Sequence, residues 1–396
     1  MILLFPFFAY LLFCCDSNEN EIKLEKVHSF EINIGDSSKF DFFHTQYYNY
    51  NNHNCLSLYS DGKIHLFDFE HGNYCFNIDL SGFDINSFKG YYIHNTDSIF
   101  IFTKSPTNIY IVDSNSKISK SYSLDFPAFG KIITKISNPI NRSGVFEYYT
   151  TNYAPLVFND GNIFIMNFNY QIYHQYNSQT KKVEYYYDRG FEHLQGLSTC
   201  HIFDVTSDEI ARVNCETGIW PDGYTKNDCY LINGPTVSRT INTTSFIYSF
   251  GMDHNIYIYD INGLHDKIFL KSKYINSLFV TDIIKCKDPL YKKRNTATSN
   301  YYKGIIYDKY KKLYYRIVVH EQNYENDNGT VNQFGDNPWS IMIIDENFEI
   351  LNEIKFPPKA LDFNKILITD KGLLIHKYYE NNFRINHEFV LYQIIQ

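Results

Sequence analysis

Residues Cys55–Leu80 read CLSLYS, then Asp61-Gly62, then KIHLFDF, then Glu70-His71-Gly72, then NYCFNIDL. Three short runs of β-branched and aromatic residues are joined by two turn signals, which predicts a three-stranded meander. Within Lys63–Phe69, Ile64 and Leu66 point one way and Phe67 and Phe69 the other, so both faces of the sheet are apolar. A two-layer sandwich leaves one face of each sheet to water and writes a clean in/out alternation, which this stretch lacks.

Working outward, an Asp or turn pair leading into an alternating apolar run recurs. It occurs at Asp61 (DGKIHLF), Asp97 (DSIFIF), Asp160 (DGNIFIM), Asp253 (DHNIYIY), Asp308 (DKYKKLYYRI) and Asp370 (DKGLLIH). The long interval between Asp160 and Asp253 holds a poorer copy at Asp208 (DEIARV), followed by the turn Glu216-Thr217-Gly218. No segment carries a helical period over more than a turn or two. Meanders repeating about every fifty residues predict an all-β chain folded as a β-propeller, because radial stacking covers both faces of each sheet and leaves only short edges. Seven blades are favoured, and six is the alternative if the Asp208 region is an insertion. The stray strand Val27–Ile34 is expected to pair beside the last strand, His387–Ile394, and close the ring.

Tyr (36), Phe (33) and only 2 Trp make up an 18% aromatic content that suits pleated, half-buried surfaces. A net charge of −8 gives no basic face for phosphate backbones, which argues against a nucleic-acid partner. The cluster Lys292-Lys293-Arg294 reads as a solvated loop.

Residues 2–13 (ILLFPFFAYLLF) are uninterrupted hydrophobics, followed at once by Cys14-Cys15 and the polar run DSNENE. Twelve apolar residues are too few to span a bilayer but suit the core of a signal peptide. The start resembles a bacterial lipoprotein signal with Cys15 as the acylated residue and Cys14 as the fallback, although Lys and Arg are missing at its very beginning. The expected division is a signal peptide over 1–14, a flexible tether over 15–23, and one propeller domain over 24–396. The expected address is the periplasmic or cell-surface face of a bacterial membrane, held by the lipid anchor alone. Of the six remaining cysteines, Cys55, Cys75, Cys200, Cys215, Cys229 and Cys286, most are expected to be buried free thiols.

The segment NPWSIMIIDENFEILNEIKF (Asn337–Phe356), preceded by KGIIYDKYKKLYYRIVV (Lys303–Val319), resembles a domain-of-unknown-function family of Bacteroidetes lipoproteins with a propeller fold. The resemblance implies an exported, membrane-tethered propeller. It brings no activity and no functional residues.

Catalytic signatures are missing: there is no GxSxG, HExxH, Walker loop or GxGxxG. Asn323, Glu325 and Asp327 followed by Gly329 alternate oxygen ligands as calcium loops do, but the glycine comes one place late and no distal Glu follows. The reading is therefore no metal and no cofactor. The repeated turn Asp residues are read as structural, because an Asp side chain bonds its own backbone there. Arg212, Trp220, Arg239, Arg316 and Trp339 are the candidate ligand-face residues, since exposed Arg and Trp anchor ligands. Arg316, inside a strand after Tyr314-Tyr315, has blade bridging as its other role. The function read from these features is a noncatalytic binding or scaffold protein engaging an envelope protein or glycan. The alternative is a propeller hydrolase or lyase with carboxylates or a metal in the central channel.

Overall fold

A computed structural model of the chain describes residues 22–123, apart from 34–39, 51–52, 84–87 and 104–107, together with strands and short pieces between 147 and 229. It also describes 237–395, apart from 243–244, 261, 279–280, 283–284, 286–287, 334 and 380–385. The Cys55–Leu80 meander is the outer three-quarters of the first blade. Its strands His53–Ser60, Lys63–Asp68 and Tyr74–Asp79 are preceded by an inner strand, Phe40–Tyr50, and the four pair in sequence order. The second blade, Phe88–Asn95, Ser98–Thr103, Asn108–Val112 and Ile118–Ser123, repeats that order. The third is Val237–Ile241, Phe246–Phe250, Asn255–Asp260 and Gly263–Phe269, and the fourth is Tyr301–Asp308, Leu313–Val319, Trp339–Ile344 and Ile350–Phe356. The fifth takes three strands from the C-terminus, Leu361–Thr369, Gly372–Lys377 and Asn386–Ile395, and its fourth from the N-terminus, Lys23–Asn33. That pairing is antiparallel and runs from Lys23 opposite Ile395 to Asn33 opposite Asn386, as expected from the stray strand.

Both blade counts expected from the sequence are corrected. Among the described residues there are five regular four-stranded blades, not seven and not six. Between the second and third lies an irregular five-stranded sheet, with Val157–Asn159 pairing off the main path of Glu147–Tyr149, Asn162–Phe168, Ser198–Asp204 and Ala211–Ile219. One blade per start is the sequence expectation, but the strands Asn162–Phe168 and Ala211–Ile219 both belong to this single sheet. The extra starts are strands added within one sheet rather than new blades.

First strands of successive blades touch each other around the axis, and fourth strands face water. The two-faced apolar pattern is thereby explained. Ile64 and Leu66 pack with Ile93, Ile99 and Ile101 of the second blade. Phe67 and Phe69 pack on the other side with Leu374, Phe389 and Ile32 of the fifth. Each such fully buried side chain contributes roughly 1.5–3 kcal/mol. The turn at Gly72 (φ 71°) tucks under the N-terminal strand so closely that a Cβ there would lie 2.4 Å from the Glu31 carbonyl oxygen, so only glycine fits.

Polar side chains on the first strands bridge blades where backbone ladders stop. Gln46 donates to the Ile93 carbonyl (2.8 Å) and accepts from the Ile93 N–H (2.8 Å). Ser238 accepts from Ile305 N–H (2.8 Å) and Thr240 from Tyr307 N–H (2.9 Å).

Two of the turn aspartates bond the backbone just after them, as expected. Asp253 accepts from Asn255 N–H (2.8 Å), and Asp308 accepts from Tyr310 (2.9 Å) and Lys311 (3.0 Å). Asp370 instead bonds the Tyr47 hydroxyl and ties the fifth blade to the first. Asp160 and Asp208 lie outside the described residues.

Two local expectations fail. Pro289–Thr298 is an α-helix, capped by Asp288 accepting from Leu290 N–H (2.9 Å), with proline at its start. Its apolar residues do not gather on one face, so it carries no period for a sequence reading to find. The basic cluster Lys292-Lys293-Arg294 therefore sits on this helix and not in a loop, with the Arg294 guanidinium 5.2 Å from the Tyr324 ring centre. Cys55 is a buried free thiol that burial pushes up to about 12, but Cys75 is free and exposed. Asn323–Gly329 belongs to a turn in which Asn326 N–H donates to the Thr330 carbonyl (3.0 Å) and Gly329 N–H to that of Asn326 (2.9 Å). Cys15 and the side chains of Cys200, Cys215, Cys229 and Cys286 lie outside the described residues.

Candidate functional site

The residues expected on a ligand face are mostly inside. Trp339 is fully buried and stacks on Phe356 (4.3 Å between ring centres) with Phe363 at 6.3 Å. Trp220 is buried against Phe250 at 5.3 Å. Arg239 is buried on the inner strand of the third blade. Arg316 is fully buried, and its guanidinium donates to Ser249 Oγ (3.0 Å) and to the carbonyls of His254 (2.6 Å), Leu270 (2.7 Å), Asp253 (2.7 Å) and Asn255 (3.3 Å). It also lies 3.5 Å from the centre of the Tyr302 ring. Arg316 thus clamps the fourth blade onto a turn of the third, which is bridging and not ligand capture. Arg212 lies on the strand Ala211–Ile219, and its side chain is outside the described residues. The structure gathers none of the described four into a common mouth.

Two other constellations stand out. The first is axial. Tyr153 packs its ring over Gly304, where a Cβ would come within 2.5 Å of the ring. Its hydroxyl donates to the Phe363 carbonyl, and its own carbonyl accepts from Arg239 N–H (3.0 Å). One residue outside the regular blades thereby joins three of them at the axis. Beside it, Lys303 lies 5.8 Å from the Tyr153 ring centre, and Asp362 is paired with Lys365 (3.0 Å). Burial pushes the Lys303 ammonium down to about 8, opposed by Asp362.

The second is a side cavity of about 350 Å³ lined by Lys23, Leu24, Lys273, Tyr274, Asn352, Glu353 and Ile354. Three elements build it: the start of the N-terminal strand, the outer strand of the fourth blade, and the connection that follows the third. Asn352 donates to the Ile22 carbonyl (2.6 Å) and pins the incoming chain to the wall. Glu353, buried, accepts from Ser272 Oγ (2.6 Å), Ser340 Oγ (2.5 Å) and Lys273 N–H (2.8 Å), so its carboxylate is fixed in place. The single Ser340 proton goes to Glu353, which leaves Ser340 Oγ to accept from His320 Nε2 at 2.8 Å. His320 is therefore the Nε2–H tautomer, and burial, with Lys355 second, pushes it down to about 4. Its Nδ1 is buried with no hydrogen-bond partner among the described residues. Over Tyr274 stand two ammoniums, Lys355 at 3.9 Å and Lys273 at 5.2 Å from the ring centre. Sequence reasoning missed this cavity because its residues come from positions 23, 273 and 353, which share no motif. Among the described residues, no group of three or more His, Cys, Asp or Glu is placed to hold a metal ion.

Comparison with known proteins bears on the fold. The profile described as "Domain of unknown function (DUF4221)" matches residues 150–355. A DUF4221 member from Bacteroides vulgatus, solved by crystallography, is 16% identical, covers 96% of this chain and 99% of its own, and superposes with a TM-score of 0.73. Looser likenesses are a Bacteroides fragilis protein (10% identity, 96% and 97% covered, TM-score 0.46) and an inactivated virginiamycin B lyase from Staphylococcus aureus (10%, 94% and 99%, TM-score 0.42). The sequence matches no curated protein.

Proposed function

Because the chain belongs to the DUF4221 family of unknown function, with the propeller fold of its Bacteroides vulgatus relative, we propose a noncatalytic binding or scaffold role at the cell envelope. The protein is exported, acylated at Cys15 and held to the membrane by that anchor, with the propeller from residue 24 onward as the recognition module. The observation that carries the binding reading is the side cavity. It is preorganised by Glu353 and Asn352, is open to a ligand, and sits beside the point where the chain enters the fold. Glu353, the carboxylate in its wall, is engaged by three donors of the protein itself, which suits shaping a site better than moving protons.

The test is retention of envelope proteins and glycans on the immobilised full chain, compared with I354W, which fills the cavity. Retention lost in I354W supports the reading, and equal retention, or none by either protein, ends it. For the anchor, radiolabelled palmitate should enter the parent and not C15S; equal labelling would move the acyl site or abolish it.

A second reading, an axial hydrolase or lyase, rests on the placement of Lys303 at the axis, 5.8 Å from the Tyr153 ring centre, where burial lowers its ammonium to about 8. It predicts turnover of an ester or glycan substrate that K303M abolishes without loss of folding.

A further inference from the structure

The walls of the side cavity hold more than a shape, and we infer that it is a site for the phosphate group of a small phosphate ester. This deepens the binding reading and rests on it. Lys23 and Lys273 line the space, Lys355 stands beside it over the Tyr274 ring, and Glu353 is the carboxylate in its wall. That carboxylate is turned inward to Ser272, Ser340 and the Lys273 backbone. Two of the ammoniums are placed by one ring. The Tyr274 ring holds Lys355 and Lys273 by cation–π contact, the His320 ring stands at a right angle to it at 5.7 Å, and the main chain of Lys273 is fixed by Glu353. A ring so occupied has little face left for stacking a neutral sugar.

The donor type selects the anion. A planar carboxylate is best met by the two-pronged guanidinium, whereas lysines act as point charges that converge on a tetrahedral oxyanion from several sides. A cavity of about 350 Å³ also leaves room for a body of glycerol or monosaccharide size beside the phosphate. Such an ester can come free in solution or as the headgroup of an anionic phospholipid. The second source is within reach under the proposed anchoring, since the eight residues from Cys15 to Lys23 span at most about 28 Å.

The experiment is calorimetric titration of the full chain with glucose 6-phosphate, inorganic phosphate and glucose. Sedimentation with vesicles of phosphatidylglycerol or of phosphatidylcholine accompanies it. K273Q/K355Q alters two exposed side chains and leaves the buried network intact, and circular dichroism checks its fold. Binding of glucose 6-phosphate or of phosphatidylglycerol vesicles, but not of glucose or phosphatidylcholine, supports the inference if K273Q/K355Q weakens it tenfold or more. Vesicle binding without glucose 6-phosphate binding assigns the headgroup as the source. Binding of glucose as tight as its phosphate, or phosphate binding unchanged in K273Q/K355Q, overturns the inference. If no phosphate probe binds while I354W still abolishes envelope retention, the phosphate assignment falls and the binding reading stands. If I354W changes nothing, the binding reading falls with it.

Discussion

Replacing Arg316 by methionine tests how the third and fourth blades hold together. Methionine keeps an apolar stem of similar reach but donates nothing, so Asp253 and Leu270 lose the bonds their carbonyls receive at 2.7 Å. The His254 carbonyl keeps one donor, the Leu270 N–H at 3.1 Å. Two orphaned buried carbonyls cost about 1–2 kcal/mol each, and the lost contact over Tyr302 about 1 kcal/mol more. Part of that total returns because methionine needs no desolvation, which leaves an expected loss of about 3 kcal/mol. Lysine keeps the charge but cannot span acceptors on both sides of a planar fork, so R316K should lose about 2 kcal/mol. Equilibrium urea unfolding followed by the fluorescence of Trp220 and Trp339, both buried, reads this out as a midpoint drop of about 1 M for R316M. A midpoint within about 0.2 M of the parent at unchanged slope would refute the clamp. R316K matching the parent would show that charge alone matters and the fork geometry does not.

Three further outcomes are expected. G304A sets a methyl 2.5 Å from the Tyr153 ring and should cost about 1–3 kcal/mol by overpacking in the same assay; no loss would mean that Tyr153 does not occupy the axis as described. I32A removes a fully buried contact between the N-terminal strand and the first blade and should cost about 2–4 kcal/mol, whereas the same change at exposed Val27 should be near neutral. Acid should destabilise the protein through His320. Its folded pKa of about 4 lies below the ordinary 6.5, so between those values the unfolded chain binds a proton that the folded ring refuses. Stability therefore falls as pH drops from 6.5 toward 4, and H320Q should flatten that slope. Some slope should remain from His376, which burial also pushes down; an H320Q profile parallel to the parent would exclude His320 as a source.

Strands and turns were legible because each is a local matter. A run such as KIHLFDF writes its two faces by alternation, and Asp253 or Asp308 announces a turn by bonding the backbone two residues on. The N-terminal strand could be placed because a strand with no hairpin partner in sequence must find one elsewhere, and the edge of the last blade was open. Blade number was not legible, because a strand added to an existing sheet and a strand opening a new one carry the same alternation. The helix was equally hidden: Asp288-Pro289 is a good start signal, but no apolar stripe follows it.

Side-chain roles divided the same way. Arg316 and Trp339 look like binding residues in isolation, and the sequence could only offer bridging as an alternative for the first. Burial is a property of what packs over a residue, and the covering groups are the turn Asp253–Asn255 of the third blade for Arg316, and Phe363 of the fifth blade with Phe356 for Trp339. The side cavity was beyond reach for the same cause, since Lys23 and Glu353 stand 330 positions apart and meet only after the chain has closed on itself. What the amino-acid order alone determined was the β architecture and where its strands turn, since alternation and turn chemistry act within a few residues. Tertiary structure decided the number of blades, which polar groups are buried and where a ligand could sit, because those depend on contacts between segments that no short-range pattern encodes.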